Sequence, residues 1–245
     1  MTQCNFRFHK ERNGAFVATI GAIGVGKSVF TRVLGEVIRQ DEGACRCFYE
    51  PASSDDEGGA SVFLPKFYND QKRWAFAVQV EMLTRRLSQH KLAQALSFEG
   101  VSSVADSLWM SDGVFVNMLE KSGSLERDEA DLYYRLFSEM SEGLLYPTAV
   151  IYLTAKPATA HARLTKRMSE KAGRSMECGI SLEYLSGLIS EYNELTAYLK
   201  QFCHVIVLDW DADRTESEIF QEAKKTWEVV KTLRRVCPIG AQLGI

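Results

Sequence analysis

The segment Gly21–Ser28 has the residue types and the spacing of a phosphate-binding loop. It reads GAIGVGKS, with glycines at its start, in its middle and directly before a lysine and a serine. Glycines allow backbone N–H groups to close around phosphate oxygens, because no side chain blocks the approach. Lys27 can reach the β- and γ-phosphates of a nucleotide, and the Ser28 hydroxyl can hold Mg²⁺. The segment predicts a site for ATP or GTP with Mg²⁺, made by Gly21, Ala22, Gly24, Val25, Gly26, Lys27 and Ser28.

Two carboxylates follow predicted strands and can act beside this loop. Glu50 precedes Pro51, which disfavours a helix there, so Glu50 lies at the carboxyl end of a strand. Asp106 ends another predicted strand. The carboxyl ends of parallel strands meet at one edge of a sheet, where Gly21 also lies. A carboxylate at that edge can accept the proton of an attacking hydroxyl, which makes Glu50 a candidate general base. The alternative is a glutamate that caps a helix or anchors a loop.

A long helix predicted over residues 71–96 carries polar side chains on an apolar background. Gln79, Met82 and Arg86 are spaced three and four residues apart, so they share one helix face. The surrounding run WAFAVQV is apolar on nearly all sides and predicts burial, where an amide needs hydrogen-bond partners. These residues can form the floor of a pocket for a planar polar ligand such as a nucleobase. The alternative is a core glutamine and a surface arginine.

Arginines concentrate in one later segment, at Arg163, Arg167 and Arg174. Guanidinium groups match the charge that develops on a transferring phosphoryl group. A segment of about residues 163–180 that carries them would act as a lid that excludes water. The alternative is a solvated basic helix face.

Strand and helix patterns alternate along the chain, which predicts an α/β fold with a doubly wound parallel five-stranded sheet flanked by helices. We expect one domain over residues 1–245. The predicted strands are 15–20, 45–49, 101–106, 148–153 and 204–209. The predicted helices are 29–39, 71–96, 114–120, 125–143, 157–168, 182–199 and 215–236. Loops are expected at 52–60 and 169–179, and a loose tail at 238–245.

Composition excludes several classes of function. The chain has 29 basic and 32 acidic residues among 245, so no polycationic surface is offered to nucleic acid or to an anionic membrane. No apolar stretch is long enough to span a bilayer, and the polar start does not resemble a signal sequence. The scattered cysteines and histidines lack zinc-ligand spacing. We expect a cytoplasmic protein with reduced thiols, no nucleic-acid or membrane partner, and Mg²⁺ as its metal.

Taken together, these motifs resemble those of the deoxynucleoside kinases related to the deoxycytidine, deoxyguanosine, deoxyadenosine and mitochondrial thymidine kinases. The resemblance depends on the phosphate loop, Glu50-Pro51, Phe67-Tyr68, Arg73-Trp74-Ala75-Phe76 with Gln79, the lid arginines, and residues 179–185 (GISLEYL). It runs from the phosphate loop almost to the last helix. The guanine-reading NKxD motif of GTPases is not found.

The resemblance implies a P-loop kinase that transfers the γ-phosphate of ATP to the 5′-hydroxyl of a deoxyribonucleoside in nucleotide salvage. It implies that Glu50 is the general base, that Gln79 pairs with the base edge, and that Tyr68 with Glu177 holds the sugar 3′-hydroxyl. It makes Lys27, Arg163, Arg167 and Asp106 catalytic and Arg174 a further phosphate ligand. Asp209 and Asp211 belong to a loop (DWDAD) that resembles the one packed on the donor adenine. It also implies a homodimer or a larger homo-oligomer.

The chain departs from the family pattern after the third strand. The family has Glu-Arg-Ser or Asp-Arg-Ser there, whereas this chain has Val104-Ala105-Asp106-Ser107, without an arginine. Either Asp106 takes the acidic place and the arginine is deleted, or Asp106 itself replaces the arginine. A nucleotide-binding protein that has lost catalysis is one alternative function, and a nucleoside monophosphate kinase is another.

The resemblance also bears on the choice of nucleoside. Arg86 falls where cytosine- and purine-accepting branches of the family have an arginine, and Asp112 lies near the place of its aspartate partner. A carboxylate near the base edge accepts from an exocyclic amino group and repels the carbonyl of thymine. With Met82 shaping the pocket, we expect deoxyadenosine or another purine deoxynucleoside to be favoured, and deoxycytidine next.

Overall fold

A computed structural model describes residues 13–50, 61–170 and 180–233, without the side chains of residues 169 and 170. Five parallel strands form one sheet in the order β2-β3-β1-β4-β5. The strands are β1 (Phe16–Ile20), β2 (Cys45–Phe48), β3 (Ser102–Asp106), β4 (Ala149–Thr154) and β5 (His204–Asp209). The predicted doubly wound parallel sheet is confirmed.

Helices connect these strands and cover the sheet. They are α1 (Lys27–Glu42), α2 (Leu64–Asn69), α3 (Gln71–Phe98), α4 (Ser111–Lys121), α5 (Arg127–Ser141), α6 (Pro157–Glu170), α7 (Leu182–Leu199) and α8 (Glu216–Thr232). Sequence periodicity did not predict α2, which is one short turn-and-a-half before α3 and has a proline at its start. The prediction that the last helix reaches residue 236 was wrong. Helix α8 ends at Thr232, because the backbone of Leu233 adopts an extended conformation. Residues 52–60, 171–179 and the tail 238–245 lie outside the described residues.

The two faces of the sheet carry separate apolar cores. Helices α3, α4, α5 and α7 pack on one face against Ala18, Ile20 and Tyr152. Helices α1 and α8 pack on the other face, against Val17 and Ile151. Successive side chains of a strand point to opposite faces, so the central strand β1 supplies both cores and all its residues are buried. The phosphate loop therefore starts from a strand that is packed on both faces. None of the described helices is long and apolar enough to cross a lipid bilayer.

The parallel arrangement brings the predicted functional segments to one edge of the sheet. Thr19 of β1 lies in register with Asp106, the last residue of β3. The phosphate loop leaves the next residue of β1, and β2 ends beside β3. Three chain segments that are far apart in sequence therefore converge at the carboxyl ends of β1, β2 and β3.

Helix α1 approaches β2 closely enough that one position requires glycine. A Cβ atom at Gly35 would lie 2.2 Å from Cys47 Sγ, so the thiol occupies the space of the missing side chain. This contact sets the distance between the helix that follows the phosphate loop and the strand that leads to Glu50.

We expect Gly35→Ala to lower the free energy of unfolding by about 1–2 kcal/mol, because overpacking outweighs the better helix propensity of alanine. Urea unfolding measures this change. The double variant Gly35→Ala/Cys47→Ala removes the clash, since the nearest remaining atoms would be 3.9 and 4.0 Å away. If the double variant is no more stable than the single one, the steric explanation is wrong.

Candidate active site

The phosphate loop connects β1 to α1 through a backbone that only glycine adopts easily. Gly24 and Gly26 have φ angles of 83° and 106°, and Gly26 caps the start of α1. A Cβ atom at Gly24 would also lie 2.6 Å from a backbone carbonyl oxygen of α6. Lys27 Nζ donates a hydrogen bond to the carbonyl oxygen of Gly21 at 3.0 Å, so the ammonium group lies at the loop.

Hydrogen bonds beneath the loop join β1, α1 and β3. Ser28 Oγ donates to Asp106 Oδ2 at 2.5 Å. The Thr19 hydroxyl donates to the carbonyl oxygen of Ala105 at 3.1 Å and lies 2.6 Å from the Thr31 hydroxyl. These contacts fix the P-loop serine opposite the carboxylate at the end of β3.

Asp106 is the buried acidic residue next to the phosphate loop. Burial raises the pKa of its carboxyl above the usual value, while the charge of Lys27 opposes that rise and the charge of Glu50 adds to it. Its Oδ1 atom is buried and has no hydrogen-bond partner among the described residues. A carboxylate that contacts the P-loop serine and keeps one oxygen unpaired is suited to hold a cation. Of the two alternatives for Asp106, this contact favours the one in which it takes the acidic place and the arginine is deleted.

Glu50 lies at the end of the neighbouring strand. It follows the last residue of β2 after Tyr49, and its side chain is exposed. The charge of Glu50 raises the pKa values of Asp106, Asp112 and Arg86. Glu50 is therefore close enough to residues of β3, α3 and α4 to act on them electrostatically.

A buried ion pair links α3 to α4. Arg86 Nε donates to Asp112 Oδ1 at 2.9 Å, and the two residues are 4% and 1% exposed. The interpretation of Arg86 as a surface arginine was wrong. Burial lowers the pKa of Arg86, but the charges of Asp112 and Glu50 more than offset this, so the pKa is raised. Burial raises the pKa of Asp112 to about 6, against the opposing charge of Arg86.

This pair uses only part of its hydrogen-bonding capacity. Arg86 Nη1 and Asp112 Oδ2 are buried and have no hydrogen-bond partner among the described residues. Gln79 and Met82, from the same face of α3, are 7% and 8% exposed. The predicted burial of Gln79 is confirmed. Arg86 of α3 and Asp112 of α4 thus each have a buried polar atom that makes no hydrogen bond within the described residues, and the buried Gln79 lies on the same face of α3 as Arg86.

The loop after β5 is fastened to the start of α6. Asp211 Oδ1 accepts hydrogen bonds from the Lys156 backbone N–H at 2.8 Å and from Thr159 Oγ1 at 2.7 Å. These bonds, with the Lys156 side chain, lower the pKa of Asp211 to about 2. Asp209 Oδ1 accepts from the Asp211 N–H at 3.0 Å. An open cavity of 460 Å³ lies beside this loop and is lined by Ala158, Thr159, Ala162, Arg163, Lys166, Asp211 and Asp213.

The remaining predicted site residues are placed as follows. Arg163 lies on α6 and donates hydrogen bonds to carbonyl oxygens of the phosphate loop and of the loop after β5. Arg167 lies one turn further along α6 and is half-buried. Tyr68 is half-buried in α2; burial of Tyr184, and after it the nearby Tyr68, raise the pKa of the Tyr184 phenol to about 12. Arg174 and Glu177 lie outside the described residues.

Comparison with known proteins identifies the family. The model of the family "Deoxynucleoside kinase" matches residues 17–237. The chain belongs to the deoxynucleoside kinase family. It is 26% identical over 229 residues to a deoxyadenosine kinase of Dictyostelium discoideum, covering 94% of this chain and 86% of that one. It is 27% identical over 218 residues to a deoxyadenosine/deoxycytidine kinase of Bacillus subtilis, covering 86% and 91% of the two chains.

Solved structures agree with the fold of this kinase. A deoxyadenosine kinase from M. mycoides, solved with products dCMP and a flexible dCDP, superposes with a TM-score of 0.68 at 24% identity. The superposition covers 89% of this chain and 99% of that one. Family and fold together establish an ATP-dependent phosphotransferase.

Two contributions to the kinase site were missed from the sequence: Trp210 and the contact between Thr19 and Thr31. Trp210 packs edge-on against Phe30 of α1 with ring centroids 5.2 Å apart, and its indole lies beside Gly26. Its signal was present, since it is the one aromatic residue within DWDAD directly after β5. The Thr19–Thr31 contact had no local signal, because it joins a strand to a helix through side chains alone.

We expect the Asp112 carboxyl of the substrate-free kinase to titrate with a pKa near 6. The groups that act on it are Arg86, which favours the charged form, and Glu50, which disfavours it, while burial is the dominant cause. Carbon NMR of protein labelled at the aspartate carboxyl carbons measures the pKa, and Asp112→Asn assigns the resonance. An Asp112 resonance that titrates near 4 would show that Arg86 outweighs burial.

Proposed function

We propose that the protein transfers the γ-phosphate of ATP to the 5′-hydroxyl of a deoxyribonucleoside, with Glu50 as the general base. The hydrogen bond from Ser28 to Asp106 is the observation that carries this proposal, because it joins the acidic end of β3 to the phosphate loop. Glu50, at the next strand end, is close enough to influence the pKa of Asp106. A hydroxyl held between Glu50 and the loop can lose its proton to the carboxylate as it attacks the terminal phosphorus.

Ser28 and Asp106 are the residues that would hold Mg²⁺ with the nucleotide. Their donor set fits this ion, since Mg²⁺ prefers hydroxyl and carboxylate oxygens and takes its other ligands from phosphates and water. Asp106 Oδ1, to which no group in the described part of the chain donates a hydrogen bond, supports the assignment. Bound Mg²⁺ would neutralise the negative charge of the β- and γ-phosphates. Lys27 would contact the same phosphates from the loop.

The buried polar groups on α3 and α4 favour a base with an exocyclic amino group. Asp112 Oδ2 can accept a hydrogen bond from such an amino group, and Arg86 Nη1 and the Gln79 amide can pair with neighbouring ring atoms. Adenine and cytosine both present an amino donor beside a ring acceptor, whereas thymine presents a carbonyl that an ionised Asp112 repels. We propose deoxyadenosine or another purine deoxynucleoside as the preferred substrate and deoxycytidine as the next. The names of the relatives, deoxyadenosine kinase and deoxyadenosine/deoxycytidine kinase, are consistent with this order.

Further roles are carried from the family resemblance. We propose that Tyr68 and Glu177 hold the sugar 3′-hydroxyl, and that Arg167 and Arg174 contact the transferring phosphoryl group. We also propose a cytoplasmic salvage enzyme that works as a homodimer or larger homo-oligomer. No arginine follows Asp106, and a charge-assisted phosphate contact contributes about 1.5–3 kcal/mol. The lid arginines would therefore carry a larger share of phosphate binding than in relatives with that arginine.

We expect Glu50→Gln to lower kcat by about 10²–10⁴ with little change in nucleoside affinity, because the amide cannot accept the hydroxyl proton. Radiolabelled ATP with saturating deoxyadenosine measures this. Glu99→Gln is a matched control, since that exposed glutamate follows α3 three residues before β3 begins, and so lies at the opposite edge of the sheet from Asp106. A kcat equal to that of the wild type would remove Glu50 from the role of base.

We expect Gln79→Ala to raise the KM for deoxyadenosine more than the KM for ATP, because it removes a contact to the base edge.

Asp112→Asn should reduce the preference for deoxyadenosine over thymidine, since an amide can also donate to a carbonyl. Steady-state kinetics on the four natural deoxynucleosides measure both effects. A clear preference of the wild type for thymidine would contradict the assignment of the amino group.

A further inference from the structure

Arg163 makes an unusual set of hydrogen bonds for an arginine expected to contact phosphate. Its Nη1 donates to the carbonyl oxygens of Val25 at 3.3 Å and Trp210 at 2.8 Å. Its Nη2 donates to the carbonyl oxygen of Ala212 at 2.9 Å, and its Nε donates to Asp213 Oδ1 at 3.0 Å. A guanidinium group has five N–H bonds, so these contacts use four of them.

The carbonyl of Val25 belongs to the phosphate loop, which explains why such a partner is needed. A loop that points its N–H groups inward at phosphate turns several carbonyl oxygens outward. Val25 is only 1% exposed, so water cannot freely satisfy that oxygen. An unpaired buried carbonyl is costly, and Arg163 supplies the missing donor.

The other carbonyls belong to the loop that follows β5. Trp210 of this loop is 5% exposed, packs on Phe30 of α1 and lies beside Gly26. Asp211 is tied to the start of α6 by its own hydrogen bonds. Arg163 therefore joins three segments: α6, the phosphate loop and the loop after β5.

We propose that Arg163 is a positioning residue that fixes the phosphate loop against the loop Trp210–Asp213, rather than a ligand of the transferring phosphoryl group. This inference rests on the proposed function in that the fixed loop serves ATP. The planar fork of arginine suits carbonyl oxygens on two separate loops, and a single lysine ammonium cannot reproduce that geometry. The planar geometry of the Arg163 side chain therefore matters more than its charge. ATP binding depends on Arg163 more than the chemical step does.

The test compares Arg163→Lys, Arg163→Gln and the control Arg214→Gln. Arg214 contacts the same loop, donating to the carbonyl oxygens of Ala212 and Asp209, with its guanidinium 4.2 Å from the Trp210 ring centroid. Within the described residues, the hydrogen bonds of Arg214 do not reach the phosphate loop. Isothermal titration with ATP gives Kd, and steady-state kinetics with deoxyadenosine give kcat.

We expect both Arg163 variants to raise the Kd for ATP by about tenfold and to keep kcat at saturating ATP within about threefold of the wild type. Arg214→Gln should leave the Kd within about twofold. If Arg163→Lys is near wild type while Arg163→Gln loses kcat by 100-fold or more, charge on the phosphoryl group is what matters and the proposal is wrong. If Arg214→Gln matches the Arg163 variants, loop order alone explains the effect and the proposal is wrong.

Asp213→Ala distinguishes the two roles of Arg163. The Asp213 side chain is 91% exposed, so the substitution leaves the core intact, and it removes the acceptor of the Arg163 Nε hydrogen bond. A positioning Arg163 keeps its three carbonyl partners, so the Kd for ATP should stay the same or rise slightly. A lower Kd would show that Arg163 is released to bind phosphate, and the proposal would be wrong. ATP binding is measured without turnover, so these results stand even if deoxynucleosides prove not to be phosphorylated.

Discussion

The hydrogen bond between Ser28 Oγ and Asp106 Oδ2 is the contact on which the arrangement of the site depends. It joins the first turn of α1 to the last residue of β3 at 2.5 Å. The bond forms only because β1 and β3 are parallel neighbours in register and because buried threonine hydroxyls hold α1 against both strands. With that contact in place, the phosphate loop, an acidic group and the end of β2 share one edge of the sheet. The charge of Glu50 then acts on the buried groups Asp106, Asp112 and Arg86.

Burial determines the electrostatics of this edge. Asp106 and Asp112 are each 1% exposed, and burial raises the pKa of both. Positive charges oppose that rise: mainly Lys27 at Asp106, and Arg86 at Asp112. A buried ion pair is stable only when its geometry and hydrogen bonds compensate for lost hydration. Arg86 and Asp112 meet this condition only in part, since they share one hydrogen bond while Arg86 Nη1 and Asp112 Oδ2 have no hydrogen-bond partner among the described residues.

The phosphate loop and the loop after β5 are held together mainly by hydrogen bonds to backbone carbonyl oxygens. Backbone carbonyl oxygens, rather than carboxylates, are the main partners of Arg163, and they come from two loops. The loop after β5 is further held by Asp211 at the start of α6 and by Trp210 against α1. A cavity of 460 Å³ opens beside this assembly. The phosphate loop is thus supported from the sheet by hydroxyl groups and from α6 by a guanidinium group.

The sequence alone determined the phosphate loop, the parallel sheet, the position of Glu50 after a strand and the burial of Gln79. These features depend on local patterns: glycine spacing, strand and helix periodicity, and a proline that ends a strand. The bounds of β5 and α7 were also predicted correctly, because both have strong periodicity between clear turn signals. Only the tertiary structure decided that Arg86 is buried, that Asp106 pairs with Ser28 and that Arg163 binds carbonyl oxygens. Each of these depends on a partner from a distant segment, and the energy of a charged side chain is set by burial and partners rather than by its neighbours in sequence.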